Sequence, residues 1–220
     1  MTDCAPFTWT VVIPVKVLAR AKSRLAALAG TRRAEMALAF AGDTVSAVVN
    51  TPFVTRVVVV TADVVVRREL SALGATVVDD DQPDGLNGAL RLGAVAARAG
   101  TGVAGLAADL PALRPGELSR ALRRVRGGPA FVADAQEVGT TLYAVPPGSA
   151  FQPMFGGRSR DRHARHGGTE LRLDDVPGLR RDVDTPEDLM AAVALGVGAR
   201  TAPVAAELLR YARPDRSASA

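Results

Sequence analysis

The chain has 220 residues, of which 48% are hydrophobic and 23% charged, and this size and composition are typical of one globular domain with a substantial core. Its single cysteine, Cys4, excludes an internal disulfide framework and a multi-thiolate metal site, and no apolar stretch reaches the roughly 18 residues of a membrane-spanning helix. A net charge of +4 is compatible with nucleic-acid binding, but only 4% of the residues are aromatic, which argues against a base-stacking surface.

Apolar runs alternate with helical patterns along the chain. Short β-branched runs predict strands, and longer periodic segments predict helices. In chain order the predicted elements are strand 8–15, helix 32–49, strand 55–62, helix 64–74, strand 75–80, helix 86–100, strand 102–109, helix 116–125, strands 129–134 and 140–145, an irregular region 146–177, strand 179–184 and helix 185–196.

This alternation predicts an α/β fold with a doubly wound, mostly parallel sheet and helices on both faces. Strands 129–134 and 140–145 have no helix between them, so we expect them to be antiparallel and the sheet to be mixed. We expect one domain over residues 1–212 and a disordered tail over 213–220. The N-terminal MTDCAPFTWT has no basic region of the signal-peptide type, so a cytoplasmic location is expected.

Polar residues follow the ends of several predicted strands, where ligands bind in open α/β sheets. Lys16 follows the first strand, the segment 79–87 (DDDQPDGLN) includes the end of the third, and Asp109 lies at the end of the fourth. Asp182 and Asp184 lie in the late strand. Cations suit phosphate oxygens and carboxylates suit Mg²⁺, so this edge of the sheet predicts a site for a nucleoside triphosphate with its metal.

The segment after the first strand, VKVLARAKSRL, is unusually cationic. It contains both lysines of the chain, Lys16 and Lys22, whereas every other cationic position is Arg, apart from two His. A solvated basic loop is the simple alternative. We favour phosphate binding, because the compact ammonium of Lys and the planar guanidinium of Arg bind anions differently.

The common phosphate loops, G-x-x-x-x-G-K-[ST] and G-x-G-x-x-G after a strand, are absent. Four other segments occur in order: IPVKVLARAKSRL, GLNGAL, ADLPAL and DVDTPEDL. Over roughly residues 11–196 they resemble the phosphoenolpyruvate or 2-phospho-L-lactate guanylyltransferase family of coenzyme F(420) biosynthesis. The resemblance implies a three-layer α/β/α sandwich of the nucleotide-diphospho-sugar-transferase type, similar to molybdopterin guanylyltransferases.

The resemblance also implies a Mg²⁺-dependent reaction, in which a phosphate oxygen of a small phosphorylated acid attacks the α-phosphorus of GTP and pyrophosphate leaves. Phosphoenolpyruvate is the favoured acceptor, because residues 129–166 look actinobacterial; 2-phospho-L-lactate and 3-phosphoglycerate are the alternatives. GTP and the acceptor are the expected partners. A downstream transferase of the same pathway is a further candidate, and we expect no binding to nucleic acid or to a membrane. A non-catalytic nucleotide- or nucleic-acid-binding module is the rival from another class.

The expected roles follow from the positions of these residues at the ends of the predicted strands, and the resemblance adds the three acceptor-binding positions. The catalytic residues are Lys16 and Asp109, and the metal ligands are Asp109, Asp182 and Asp184. The nucleotide-binding residues are Lys22, Ser23, Arg24, Asp84, Gly85 and Asn87, and the acceptor-binding residues are Thr140, Gly156 and Ser159.

Several roles have alternatives. Asp109 precedes a Leu-Pro turn, where a capping Asp is common, and the family often has Gly where Ala108 stands. Thr141 competes with Thr140, and Asn87 could instead cap a helix. Asp182, Asp184 or both could complete the metal site. Thr185 is predicted to be an N-cap, with Pro186 in the first helical position. His163 and His166 are expected to be surface histidines rather than zinc ligands.

Overall fold

The computed structural model describes residues 7–18, 25, 29–80 and 85–211. Within these residues seven strands form one sheet in the order β3-β2-β1-β4-β6-β5-β7. The strands are β1 (Trp9–Pro14), β2 (Val54–Thr61), β3 (Thr76–Asp79), β4 (Gly102–Leu106), β5 (Ala130–Ala133), β6 (Thr140–Val145) and β7 (Thr169–Glu170). The helices are α1 (Arg33–Val49), α2 (Val64–Ser71), α3 (Gly85–Val95), α4 (Pro115–Arg124), α5 (Ser159–Arg165), α6 (Pro177–Arg180), α7 (Pro186–Leu195) and α8 (Thr201–Tyr211).

The sheet is mixed because β6 runs against its neighbours. β6 is antiparallel to both β4 and β5, whereas the other described pairs are parallel. The prediction of a mostly parallel sheet with an antiparallel pair at 129–134 and 140–145 is therefore confirmed. The reversal has a functional consequence, because it brings the beginning of β6 to the edge at which β1 and β4 end.

Helices cover both faces of the sheet, as the three-layer prediction requires. The central strand β1 is buried along its whole length. Val11 and Ile13 belong to the core beneath α1, α2 and α4, whereas Val12 belongs to the core beneath α3. Gly93 lets α3 approach the sheet closely, since a Cβ at this position would collide with Val12 and Val60.

A smaller apolar cluster joins the outer side of α1 to α7 and α8. It contains Phe40, Leu189 and Leu208. The buried carboxylate of Asp43 accepts hydrogen bonds from the backbone N–H groups of Arg200 (3.0 Å) and Thr201 (2.8 Å), which fixes the start of α8 against α1. Helix α8 had no counterpart among the predicted elements.

Two predictions for the C-terminal half are wrong. Residues 179–184 are not a strand, because Pro177 begins the short helix α6 and the chain then continues without regular structure. The region 146–177, predicted to be irregular, contains α5 and β7. The predicted tail 213–220 lies outside the described residues. No helix in the described part of the chain is both long enough and apolar enough to span a membrane.

Candidate active site

A cavity of about 890 Å³ opens at the edge of the sheet where β1 and β4 end. Thr140, the first residue of β6, reaches the same edge, since β6 pairs antiparallel with β4 and the Ala107 N–H donates to the Thr141 carbonyl (2.9 Å). The predicted site residues that line the cavity are Lys16, Asp109, Thr140, Gly156, Ser159, Asp182 and Asp184. Residues from distant parts of the chain therefore share one concave site.

The structure describes only part of the predicted nucleotide site. Lys22, Ser23, Arg24 and Asp84 lie outside the described residues. Lys16 is described, and its exposed side chain lines the cavity.

The carboxylate of Asp63 holds the chain just after Lys16. It accepts a hydrogen bond from the Leu18 N–H (3.0 Å) and also caps α2 through the N–H groups of Val65 (2.9 Å) and Val66 (3.2 Å). Burial alone raises the pKa of this carboxyl, but the three backbone donors outweigh it and the pKa of Asp63 is lowered. The start of the cationic segment is thus attached to a helix N-terminus.

A buried threonine supports the turn that carries Asp109. The Thr44 hydroxyl lies 3.1 Å from the Ala108 carbonyl and 2.8 Å from the Phe40 carbonyl, and it accepts a hydrogen bond from the Leu110 N–H (3.0 Å). It therefore contacts the backbone on both sides of Asp109. No local sequence pattern marks this role, because the contacts of Thr44 are with a turn more than 60 residues away in the chain.

Asp182 and Asp184 lie next to Asp109. The Val183 N–H donates to the Asp109 carbonyl (3.1 Å), and the Val183 side chain is fully buried. The Asp188 carboxylate accepts from the N–H groups of Asp184 (3.3 Å) and Thr185 (3.0 Å), while the Thr185 hydroxyl accepts from the Asp188 N–H (3.2 Å). The predicted N-cap at Thr185 is confirmed, and this capping box also holds the backbone of Asp184.

The acidic side chains of the cavity are candidate ligands for a magnesium ion. Within the described ranges, no three His, Cys, Asp or Glu side chains converge as a metal-binding group. Magnesium, however, binds proteins through one or two carboxylates and takes its other ligands from water and substrate phosphates. The oxygen donors of Asp109, Asp182 and Asp184, all lining one cavity, fit such an open site.

The predicted acceptor-binding residue Gly156 belongs to a glycine loop at the cavity. Gly156 has φ +96°, and a Cβ at this position would meet no atom within 4 Å. The loop is held by Asn87, whose amide donates to the Phe155 carbonyl (3.1 Å) and accepts from the Phe155 N–H (2.8 Å). Asn87 does not line the cavity, so its role in nucleoside binding stays a prediction. Gly85, which begins α3 with φ +65°, does not line it either, although Leu86 does.

Thr140 rather than Thr141 lines the cavity, and Thr141 is fully buried. The Thr140 hydroxyl lies 3.0 Å from Nδ1 of His163.

The expectation that His163 is a surface residue is wrong. Its side chain is only 1% exposed, whereas His166 is exposed as expected. Burial, with Arg162 and His166 adding to it, lowers the pKa of His163 to about 4. A spacing of four residues places His163 and the buried Ser159 on one side of α5, and this spacing is the signal that could have located it.

Known proteins resemble this chain over most of its length. The family model described as guanylyl transferase CofC like matches residues 9–218. A protein of Thermomonospora curvata named phosphoenolpyruvate guanylyltransferase is 56% identical over 208 residues, covering 93% of this chain and 91% of that protein. One of the same name from Streptomyces coelicolor is 55% identical and covers 91% of this chain and 97% of that protein.

Solved structures show the same fold at low identity. A cytidylyltransferase from Leptospira borgpetersenii superposes with a TM-score of 0.57 and 13% identity, covering 93% of both chains. A CMP:2-keto-3-deoxy-manno-octonic acid synthetase superposes with a TM-score of 0.55 and 15% identity, covering 86% of this chain and 98% of that chain. The family model matches this chain over nearly its whole length, and the two relatives from Thermomonospora curvata and Streptomyces coelicolor are more than half identical to it. The chain therefore belongs to the guanylyl transferase CofC-like family.

Proposed function

We propose that this protein transfers the guanylyl group of GTP to phosphoenolpyruvate, releasing pyrophosphate and forming enolpyruvoyl-2-diphospho-5'-guanosine. The observation that carries the proposal is the cavity, which is lined by residues from distant parts of the chain, including the predicted lysine, the three predicted aspartates, the two predicted hydroxyl residues and a glycine loop. The name shared by relatives of 52–56% identity supports phosphoenolpyruvate as the acceptor.

In this reaction an oxygen of the acceptor phosphate forms a bond to the α-phosphorus of GTP. The bond between that phosphorus and the oxygen bridging to the β-phosphate breaks, and pyrophosphate leaves with the electron pair. The protein must therefore bring two anions together and stabilise the charge on the leaving group. Lys16 stands at the cavity edge with a mobile ammonium, which suits phosphate oxygens that move during the transfer.

The acceptor is bound where β6, the glycine loop and α5 reach the cavity. Thr140 and Ser159 are both nearly buried, at 8% and 1% exposure, and both line the cavity beside Gly156. Two hydroxyls and a glycine backbone can bind an anion without adding charge. Such neutral donors suit a small acid that carries a phosphate next to a carboxylate.

We also propose that the reaction uses magnesium, held by Asp109 together with Asp182, Asp184 or both. When bound, the ion neutralises phosphate charge and orients the triphosphate. The carboxylates hold this position because Thr44, Val183 and Asp188 fix the backbone around them.

The nucleoside side stays a prediction. Lys22, Ser23 and Arg24 are assigned to the triphosphate, and Asp84, Gly85 and Asn87 to the nucleoside. If Asp84 and Asn87 read a guanine edge, GTP is preferred over ATP.

Product analysis tests the proposal. The protein is incubated with Mg²⁺, GTP or ATP, and phosphoenolpyruvate, 2-phospho-L-lactate or 3-phosphoglycerate, and pyrophosphate and the diphosphate ester are measured. We expect the fastest release with GTP and phosphoenolpyruvate. Faster turnover of another acceptor would reassign the substrate. GTP binding without turnover of any acceptor would favour the non-catalytic alternative.

A further inference from the structure

We propose that His163 is a positioning residue that directs the hydroxyl proton of Thr140 toward the anionic acceptor. This proposal rests on the proposed function for the identity of the ligand. The direction of the hydroxyl, however, follows from hydrogen bonds within the protein.

His163 connects the three parts of the acceptor site. It belongs to α5, the helix that begins with Ser159, and its Nδ1 lies 3.0 Å from the Thr140 hydroxyl. Its Nε2 accepts a hydrogen bond from the Met154 N–H (3.0 Å), two residues before Gly156. One buried ring therefore links β6, the glycine loop and α5.

The position of the ring proton follows from these contacts. A backbone N–H can only donate, so Nε2 must present its lone pair to Met154. Because the pKa of His163 is lowered to about 4, the ring is neutral at neutral pH and carries its single proton on Nδ1. Nδ1–H therefore donates to Thr140 Oγ1. The Ser159 backbone carbonyl, which also interacts with the ring, can only accept and is compatible with this protonation state.

The Thr140 hydroxyl is then an acceptor toward His163, and its own proton must point elsewhere. Among the described residues, His163 is the one hydrogen-bond partner of this hydroxyl, and Thr140 lines the cavity. The hydroxyl can therefore act as a hydrogen-bond donor on the cavity side, as an anionic ligand requires.

Aromatic rings keep His163 in this orientation. Tyr143 stacks on the imidazole with 4.6 Å between ring centroids, and Phe131 and Phe155 contact it at 5.6 and 5.5 Å. A ring flip would put Cε1 in the place of Nε2 and Cδ2 in the place of Nδ1, so the Met154 N–H and the Thr140 hydroxyl would each face a carbon atom. The packing and the two hydrogen bonds therefore select the same orientation.

The first test measures the tautomer and needs no substrate. The chain has only two histidines, so the ring ¹⁵N signals of His163 are assigned by comparison with a His166→Gln variant. At neutral pH we expect a protonated Nδ1 and an unprotonated Nε2. The opposite tautomer or a charged ring would overturn the proposal, whether or not the protein turns over phosphoenolpyruvate.

The second test separates the two nitrogens by substitution. In His163→Asn the amide stands near the place of Nδ1 and can still donate to Thr140, whereas in His163→Gln it reaches the place of Nε2 and serves only Met154. We expect His163→Gln to raise the acceptor KM about tenfold with little change in the GTP KM, and His163→Asn to raise it less than about threefold. The exposed His166→Gln is the control and should match the wild type.

A double-mutant cycle distinguishes positioning from general support. In a Thr140→Ala background, His163→Gln should raise the acceptor KM no further, because the hydroxyl that it orients is gone. Additive effects, or an equal rise in the GTP KM, would show that His163 only supports the fold. If the wild-type protein turned over no acceptor, the proposed function would be rejected. The tautomer measurement alone would then test the role of His163.

Discussion

At position 16 the choice of lysine instead of arginine is itself evidence for a function, beyond the positive charge that both residues carry. The chain uses Arg for 25 of its 27 Lys and Arg positions, given that lysine occurs only at positions 16 and 22. In the structure Lys16 is exposed and lines the cavity. A compact ammonium at this edge can contact phosphate oxygens from several directions, which a planar guanidinium cannot do.

We therefore expect Lys16→Ala to lower kcat/KM for GTP by about 100- to 1000-fold, and Lys16→Arg to restore only part of it. Thermal melting should stay close to wild type, because the side chain faces the cavity and not the core. Steady-state kinetics of both variants, with product analysis, check the prediction. Wild-type turnover by Lys16→Arg would show that the segment is merely a basic surface.

Asp109 is a predicted metal ligand whose backbone is held on both sides by contacts with Thr44 and Val183. We expect Asp109→Asn to abolish turnover, because the substitution keeps the shape of the side chain and removes the charge that a hard cation needs. The matched control is Asp175→Asn, which alters only an exposed ion pair with Arg120 and should retain activity. Pyrophosphate release across a Mg²⁺ series is the measurement, and normal turnover by Asp109→Asn at ordinary Mg²⁺ contradicts the assignment.

The site residues at strand ends could be predicted from the sequence. Ligands bind at the carboxyl ends of the strands in open α/β sheets, so locating the strands is enough to find these residues. Lys16, Asp109 and Thr140 were found in this way or by family resemblance, and all three line the cavity. His163 was missed because its burial depends on aromatic residues far away in the chain, such as Tyr143 and Phe131. Its spacing of four residues from Ser159 indicates a shared helix face, but it does not show that this face is buried.

At the scale of elements, hydrophobic periodicity located every strand of the sheet except β7. It failed at 179–184, where Leu179 and Val183 are both buried but lie on a short helix and on the segment after it. Two buried residues four apart, with charged residues between them, do not distinguish a strand from a helical turn. The Val183 N–H bonds to the Asp109 carbonyl and not to a neighbouring strand, a long-range contact that the sequence does not encode locally.

The contact between α1 and the turn after β4 gives a prediction at this scale. Thr44→Val removes the acceptor of the Leu110 N–H and the hydroxyl beside the Ala108 carbonyl, so unfolding should become easier by about 1–3 kcal/mol. Because the turn carries Asp109, kcat should also fall by about tenfold, whereas Thr44→Ser, which keeps the hydroxyl, should retain most activity.

The control for this prediction is a second buried threonine beside the same helix. The Thr51 hydroxyl donates to the Ala47 carbonyl (2.8 Å), far from the cavity. Thr51→Val should lower stability without lowering kcat. Urea unfolding and steady-state kinetics on the three variants separate the two effects, and equal loss of kcat in Thr44→Val and Thr51→Val would contradict a role for Thr44 in placing Asp109.

For the whole molecule, the stability of the fold is coupled to pH through one buried ring. The pKa of His163 is lowered to about 4 in the folded protein, because burial, Arg162 and His166 disfavour the charged form. In the unfolded chain a histidine has a pKa of about 6.5. Between these two values the unfolded state binds more protons than the folded state, so acid favours unfolding in this window.

The contribution of neutral His163 should therefore be fully present above about pH 6.5 and decline as the pH falls toward 4, for a total loss of about 3 kcal/mol. The carboxyls with lowered pKa values, such as Asp63 and Glu35, act at lower pH, since their contribution is lost only as the pH falls below the ordinary carboxyl pKa of about 4.

The measurement is the free energy of unfolding in urea at several pH values from about 7 down to 5, where the histidine effect is nearly separate from that of the carboxyls. The wild type should lose about 2 kcal/mol over this interval. His163→Gln should lose almost nothing, because its amide does not titrate, whereas His166→Gln should keep most of the wild-type slope. An unchanged slope in His163→Gln would show that another group binds the protons, and that the ring beside Thr140 is not held neutral by the fold.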